Sequence, residues 1–131
     1  MAERTTKTTI NKVFALLKVL NKDKRYDLES YSFVMQALDF TVKKDHKKGH
    51  ISGEELLEGI KDYALEQFGP MSRMVLRYWG IKKTGDFGEI VFNMIDAGIL
   101  GKTENDSKED FYNKYDFKET FDKDYKYTLH Q

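Results

Sequence analysis

The fold class that the sequence predicts is mainly α-helical: a compact single domain of five to six helices. Apolar residues recur every three or four positions through most of the 131-residue chain, which is the spacing of buried helix faces. Polar turns and glycines separate these segments, and the chain contains one proline. A chain of this length buries enough surface to fold around one core without disulfides, so the absence of cysteine is no obstacle.

Charge is unevenly distributed along the chain, although the formal net charge is zero. Residues 1–48 contain 11 Lys and Arg residues against 6 Asp and Glu residues. Within one domain (1–131) we therefore distinguish a basic helical part (1–48), a trihelical unit (49–101) and an aromatic-rich C-terminal segment (102–131). The absence of cysteine favours a reducing compartment, and no apolar run approaches the roughly 18 residues of a membrane helix. We expect a soluble cytoplasmic protein without a membrane segment.

Two helices are predicted in the basic part. The first runs from Thr8 to about Asn21, and its apolar residues have the spacing of one buried face: Ile10, Val13, Phe14, Leu16, Leu17 and Leu20. The second begins after Asp27, which can cap it, and ends near Lys43. Its apolar side contains Leu28, Tyr31, Val34, Met35, Leu38 and Val42. Both helices are expected to pack these sides against the core.

Three helices with short connections are predicted in the trihelical unit, at about 52–68, 71–79 and 86–97. Ser52 and Glu55 have the spacing of a capping box, in which each side chain accepts from the other residue's backbone N–H, so the first helix begins there. Gly69 and the proline after it end this helix. Asp86, followed by Glu89 three residues later, predicts the start of the third helix, which Gly98 ends.

The C-terminal segment has weaker local signals. The run "ILGK" at 99–102 predicts a short strand, which would begin a small C-terminal β-hairpin. Asp106 and Glu109 are spaced to cap one more helical turn around Phe111. Phe111, Phe117 and Phe121 are expected to pack on the body, and roughly the last eight residues to be loose.

The order of the three central helices is that of a helix-turn-helix unit, in which the third helix enters the major groove of DNA. The segments "VLRYWGI" and "IVFNMIDAGIL" resemble winged-helix regulators. However, no Lys or Arg occurs from Thr84 to Gly101, whereas Asp86, Glu89 and Asp96 do. Because duplex DNA is densely anionic, this acidic helix is predicted to repel it and to serve packing or protein contact.

A nucleic-acid interface is therefore predicted only in the basic N-terminal half, as the alternative function. The protein would then be a degenerate winged helix that binds duplex DNA, or a ribosome-associated factor that binds RNA. The cations that would contact the nucleic acid are Lys22, Lys24, Arg25, Lys43, Lys44, Lys47 and Lys48. The competing interpretation is that these residues are solvated and complement the dipoles at helix ends.

No catalytic, metal or cofactor site is predicted. His46 and His50 are four residues apart, as two metal ligands on one helix face would be, but Gly49 interrupts the helix and a third ligand is missing. The acidic row Glu54, Glu58 and Asp62 is typical of a solvated helix face. A general acid or base would need a desolvating pocket, of which the sequence has no sign.

Non-enzymatic protein binding, or self-association, is the function that the sequence favours. Aromatic residues make up 14% of the chain, more than a small core needs, so some are expected at the surface. The candidate interaction surface consists of Tyr78, Trp79, Phe87 and Phe92.

The block from His50 to Phe117, which begins "HISGEELLEGIKDYALEQFGP", resembles an uncharacterised bacterial family described as a planctomycete and verrucomicrobial conserved hypothetical protein. Upstream, "YDLESYSFVMQALDFTV" resembles the N-terminal segment of the same family. The resemblance implies a small stand-alone cytosolic protein, and it implies no activity, cofactor, partner or functional residue. The family pattern has proline where this chain has Asp27, which affects only a helix start.

Overall fold

The computed structural model of the protein describes residues 3–4, 9–44 and 50–123. The fold is mainly helical, as the sequence predicted. The helices are α1 (Thr9–Lys22), α2 (Leu28–Lys44), α3 (Gly53–Phe68), α4 (Ser72–Tyr78) and α5 (Thr84–Asp96). Two two-residue strands, β1 (Glu3–Arg4) and β2 (Leu100–Gly101), and 3₁₀ turns at Gly69–Met71 and Lys108–Phe111 complete the order, with a π-helical turn at Lys118–Lys123.

Helix α5 lies at the centre of the molecule. It contacts α1, α2, α3, β2 and the 3₁₀ turn at Lys108–Phe111. Its buried side chains include Phe87, Ile90, Val91 and Met94, and Asp96 is the one exposed residue of its thirteen. The rest of the fold is therefore built around this helix.

Helices α2 and α3 form the most extensive helix pair, and they approach closely at Gly59. A Cβ atom at Gly59 would lie 1.7 Å from Oγ1 of Thr41, which is buried and donates to the carbonyl of Ala37. Only a residue without a side chain fits between the two helices at this point.

The predicted helix starts are correct for α3 and shifted for α5. The Ser52 hydroxyl accepts from the Glu55 N–H, and the Glu55 carboxylate accepts from the Ser52 N–H, as in a capping box. Helix α5, in contrast, begins at Thr84, so Asp86 lies inside its first turn instead of capping it. The Asp86 carboxylate accepts from the backbone N–H groups of Lys82 and Lys83, which satisfies donors just before the helix.

The C-terminal segment packs on the body. Strand β2 forms at the predicted place, and within the described residues it pairs antiparallel with β1 from the N-terminus instead of with a second C-terminal strand. Phe111, Phe117 and Phe121 are buried, as expected. Ser107, not Asp106, caps the 3₁₀ turn by accepting from the Glu109 N–H. The predicted loose end falls on residues 124–131, outside the described residues.

Helix α1 forms where it was predicted, but most of the side chains that were expected to face the core face the solvent. Ile10, Val13, Phe14 and Leu17 are 64%, 50%, 57% and 54% exposed, whereas Ala15 and Val19 are buried. Leu16 and Leu20 are half-buried. The spacing of apolar residues correctly predicted an apolar face on α1. In the structure, however, the buried face of α1 is the one with Ala15 and Val19.

Among the helices that the structure describes, none combines the length and hydropathy that a bilayer crossing requires.

The contact at Gly59 predicts a selective effect of an added methyl group. Gly59→Ala should lower the free energy of unfolding by about 1–3 kcal/mol, because α2 and α3 must separate to admit the Cβ atom. Gly85→Ala is the matched control, since its Cβ would be no nearer than 3.4 Å to Tyr112. Urea denaturation should show Gly85→Ala unchanged or more stable. Equal stability of the two variants would contradict the proposed contact.

Candidate protein-interaction surface

Of the four aromatic residues predicted to form an interaction surface, Phe87 is buried, Trp79 and Phe92 are half-buried and Tyr78 is exposed. Phe87 is fully buried, with its ring centroid 5.9 Å from that of Phe117, so its place in the surface is wrong. It lies on the α5 side that faces the core, where an exposed aromatic ring cannot be. Phe92 is half-buried against the core, and Tyr78 is 82% exposed on α4.

Trp79 belongs to an aromatic cluster between α2, α3 and the end of α4. Its ring centroid lies 5.6 Å from that of Phe33 and 5.8 Å from that of Phe68, and Tyr63 contacts Phe33 at 5.5 Å. Offset and edge-on ring contacts of this kind stabilise packing. Trp79 is therefore partly buried, and its contacts are structural.

Among the described helices, α1 has the most large apolar side chains that are exposed. We call Ile10, Val13, Phe14 and Leu17 the α1 stripe. Their spacing of three and four residues places them along one side of the helix for two turns. All four are at least half exposed. Because Ala15 and Val19 anchor the opposite side, α1 has two apolar faces and the fold covers one.

A groove between α1 and α5 adjoins the α1 stripe, and we call it the α1–α5 groove. Its volume is about 650 Å³. Phe14, Lys18 and Lys22 lie on the α1 wall, and Asn93, Asp96 and Ala97 lie on the α5 wall. Phe14 belongs to both features, so the stripe and the groove form one continuous surface.

A network of polar side chains lies at the end of this groove where Asp23 and Asn93 line it. Arg25 donates to both Asp23 oxygens, at 2.9 and 2.7 Å, and lies 3.4 Å from Glu89. Nδ2 of Asn93 donates to Asp23 at 2.9 Å and to the Tyr31 hydroxyl at 3.1 Å. The Arg25 guanidinium holds the pKa of Asp23 well below its usual range. The network therefore fixes the loop between α1 and α2 against α5.

Tyr26 extends the same network to the start of α5. Its hydroxyl donates to Asp86 at 2.6 Å, and burial together with this carboxylate raises the pKa of Tyr26. The adjoining cleft is lined by Arg25, Lys83, Asp86, Glu89 and Tyr112. Its carboxylates bond to partners within the chain: Asp86 accepts from Tyr26 and from the Lys82 N–H, and Glu89 pairs with Arg25 and Lys108.

No three His, Asp or Glu side chains within 9–44 and 50–123 converge to hold a metal ion. His50 lies at an exposed position before α3, and His46 falls outside the described residues. Whether His46 and His50 lie on one side of a helix therefore stays untested.

The cations of the nucleic-acid alternative lie at two ends of α2. Lys22 and Lys24 are exposed near its start, and Lys43 and Lys44 are exposed at its end. A helix of 17 residues separates them by about 25 Å. Arg25 bonds to carboxylates, and Lys44 pairs with Asp62. Lys47 and Lys48 fall outside the described residues, and the cations that the structure does describe make no single strip.

Helix α5 is mostly buried. This burial is a stronger obstacle to its entering a DNA groove than its negative charge. Asp86, Glu89 and Asp96 were predicted to repel DNA. In the structure Glu89 lies 2.9 Å from Nζ of Lys108 and 3.4 Å from Arg25, while Asp86 binds backbone N–H groups. Ion pairs with Lys108 and Arg25 thus offset the charge of Glu89, and because most of α5 packs against neighbouring elements, little of this helix is exposed for contact with DNA.

The Asp23–Arg25 pair predicts a pH-dependent stability. Because the folded pKa of Asp23 is depressed, its stabilisation is present above the unfolded value of about 3.9 and is lost as the pH falls below it. Asp23→Asn should lower the free energy of unfolding at pH 7 by about 1.5–3 kcal/mol. It should also flatten the loss of stability that begins as the pH falls below about 4 and continues down to the depressed pKa of the folded protein's Asp23. Asp27→Asn, at an exposed carboxylate, is the control; equal effects would contradict the pairing.

Comparisons with known proteins leave the function to be argued from this geometry. No protein-family model matches the chain, and neither curated proteins nor solved structures show a significant match. The resemblance of residues 50–117 to an uncharacterised bacterial family, and the weaker one to winged helices, therefore stay predictions.

Proposed function

We propose that this protein is a non-enzymatic protein-interaction module that binds a helix of another protein through the α1 stripe and the α1–α5 groove. The observation that carries the proposal is the exposure of four large apolar side chains in consecutive turns of one helix. Contiguous exposed apolar surface beside a polar rim is typical of protein-binding sites. We also propose a cytoplasmic location, which the absence of cysteine supports.

The spacing of the stripe supports a helical ligand. Side chains at i, i+3, i+4 and i+7 present a narrow apolar ridge, against which an amphipathic helix packs its own ridge. The groove beside Phe14 offers a second wall, from α5, along which such a helix would lie. The anchoring of α1 by Ala15 and Val19 keeps this surface in place before binding, which lowers the entropic cost of association.

Removing the stripe should abolish helix binding without unfolding the protein. A displayed library of helical peptides, selected on the immobilised protein, should yield peptides with an apolar stripe of the same spacing. Phe14→Gln/Leu17→Gln should weaken these peptides by at least about 100-fold, because two anchor side chains are lost. Both positions are exposed, so the free energy of unfolding should change by no more than about 0.5 kcal/mol per site.

The matched control is Met71→Gln/Met74→Gln, which removes two exposed apolar side chains from the 3₁₀ turn and α4. This variant should retain the selected peptides. Failure to enrich any peptide, or equal loss in the two variants, would contradict the proposed site.

Nucleic-acid binding by the basic residues is the alternative function. Its support is the exposure of Lys22, Lys24 and Lys43, and its weakness is their separation along α2. Titration with duplex DNA and with structured RNA at about 50 and about 200 mM salt tests it, since phosphate contacts lose affinity as salt rises. We expect no salt-sensitive binding; a steep salt slope that Lys43→Glu reduces would favour the alternative.

A further inference from the structure

We infer that the ligand of the α1 stripe is an acidic amphipathic helix of another protein, with carboxylates along the border that meets Lys18 and Lys22. This inference rests on the proposed function and names the chemistry of the partner. It follows from the charges that surround the stripe, described next.

Helix α1 is cationic along its whole length. It contains Lys12, Lys18 and Lys22 and no Asp or Glu. Lys18 and Lys22 are exposed on the groove side of the stripe. Neither lysine forms an ion pair with any residue that the structure describes, so both ammonium groups are available to a ligand.

Nearby carboxylates leave this positive border uncompensated. Asp23 is already bound by Arg25 and Asn93. Asp96 lies on the α5 wall of the groove, opposite the lysines. A helix in the groove would thus meet cations on one side and one anion on the other, and charge favours acidic residues on its α1 side.

A second copy of this chain fits the stripe less well. In such a dimer the α1 helices of the two copies would pack together. Each contains lysines and no carboxylates, and like charges across an interface lower the affinity. An anionic membrane surface also fits less well, because a flat bilayer would face Asp96 as well as the lysines. A helix can direct its carboxylates to one border only.

Two synthetic helical peptides test the charge of the partner. Both have the same apolar stripe; one has Glu along one border and Gln along the other, and the second has Lys in place of Glu. The Glu peptide should bind the full-length protein roughly 10-fold or more tightly than the Lys peptide at low salt. The preference should shrink as salt rises, because exposed charges are screened.

Charge reversal on the protein should reverse the preference. Lys18→Glu/Lys22→Glu should bind the Lys peptide more tightly than the Glu peptide. The control Lys43→Glu/Lys82→Glu makes the same change in net charge at exposed sites away from α1, and Lys43, like Lys22, lies in the last turn of its helix. This control should keep the wild-type preference.

The outcomes separate the identity of the partner from the existence of the site. Equal binding of both peptides that Phe14→Gln/Leu17→Gln abolishes would overturn the acidic partner and keep the docking surface. Stripe-dependent dimers in sedimentation, or stripe-dependent binding to phosphatidylserine vesicles with no peptide binding, would replace the partner by a second copy or a membrane. A monomer that binds none of these probes would overturn both proposals.

Discussion

The burial of α5 is the constraint on which the rest of this structure depends. One of the thirteen residues of this helix is exposed, and α1, α2, α3, β2 and the 3₁₀ turn at Lys108–Phe111 cover most of its surface. Buried apolar surface is the main favourable term in folding, so these contacts dominate stability. Phe87 is at the centre of this core and contacts the C-terminal segment through Phe117. This contact helps to order the C-terminal segment, whose local sequence signals for secondary structure are weak.

Covering α5 also determines how its polar groups are used. Glu89 and Asn93 lie where the α1–α2 loop crosses the helix, and a polar group in such a place is costly unless it is bonded. Arg25 and Asp23 provide the partners, and Asn93 bonds Asp23 and Tyr31 at once. These side chains thus form one hydrogen-bonded network between the α1–α2 loop and α5.

The same arrangement leaves α1 at the edge of the fold. Ala15 and Val19 are buried on one side of α1, whereas the α1 stripe on the opposite side is at least half exposed. A helix with apolar residues on two opposite faces is usually buried on both, and the exposed face of α1 is therefore the basis of the proposed docking site. Exposed lysines lie next to Phe14 on the same surface. Position at the edge, and not residue type alone, therefore makes this helix the candidate site.

Local interactions in the sequence by themselves determined where most helices begin and end. The Ser52–Glu55 capping box and the stop at Gly69 involve neighbours a few residues apart, and such signals are readable because each is completed within one turn. Burial of the C-terminal phenylalanines was likewise predictable, because large aromatic rings among charges have few other stable places. The start of α5 was misplaced because Asp86, which was predicted to cap the helix, lies inside its first turn and accepts from the backbone N–H groups of Lys82 and Lys83.

Only the tertiary structure decided which apolar face is covered and which charge is paired. Periodicity shows that α1 has an apolar side, but it does not show which helix lies against it, and the α1 stripe was consequently assigned to the core. The partners of Glu89 are 64 residues upstream and 19 residues downstream, so its neutralisation has no local sign. The pairing of β2 with β1 is equally remote. Contacts between distant residues depend on the packing of whole helices, and helix packing is what a single sequence specifies least directly.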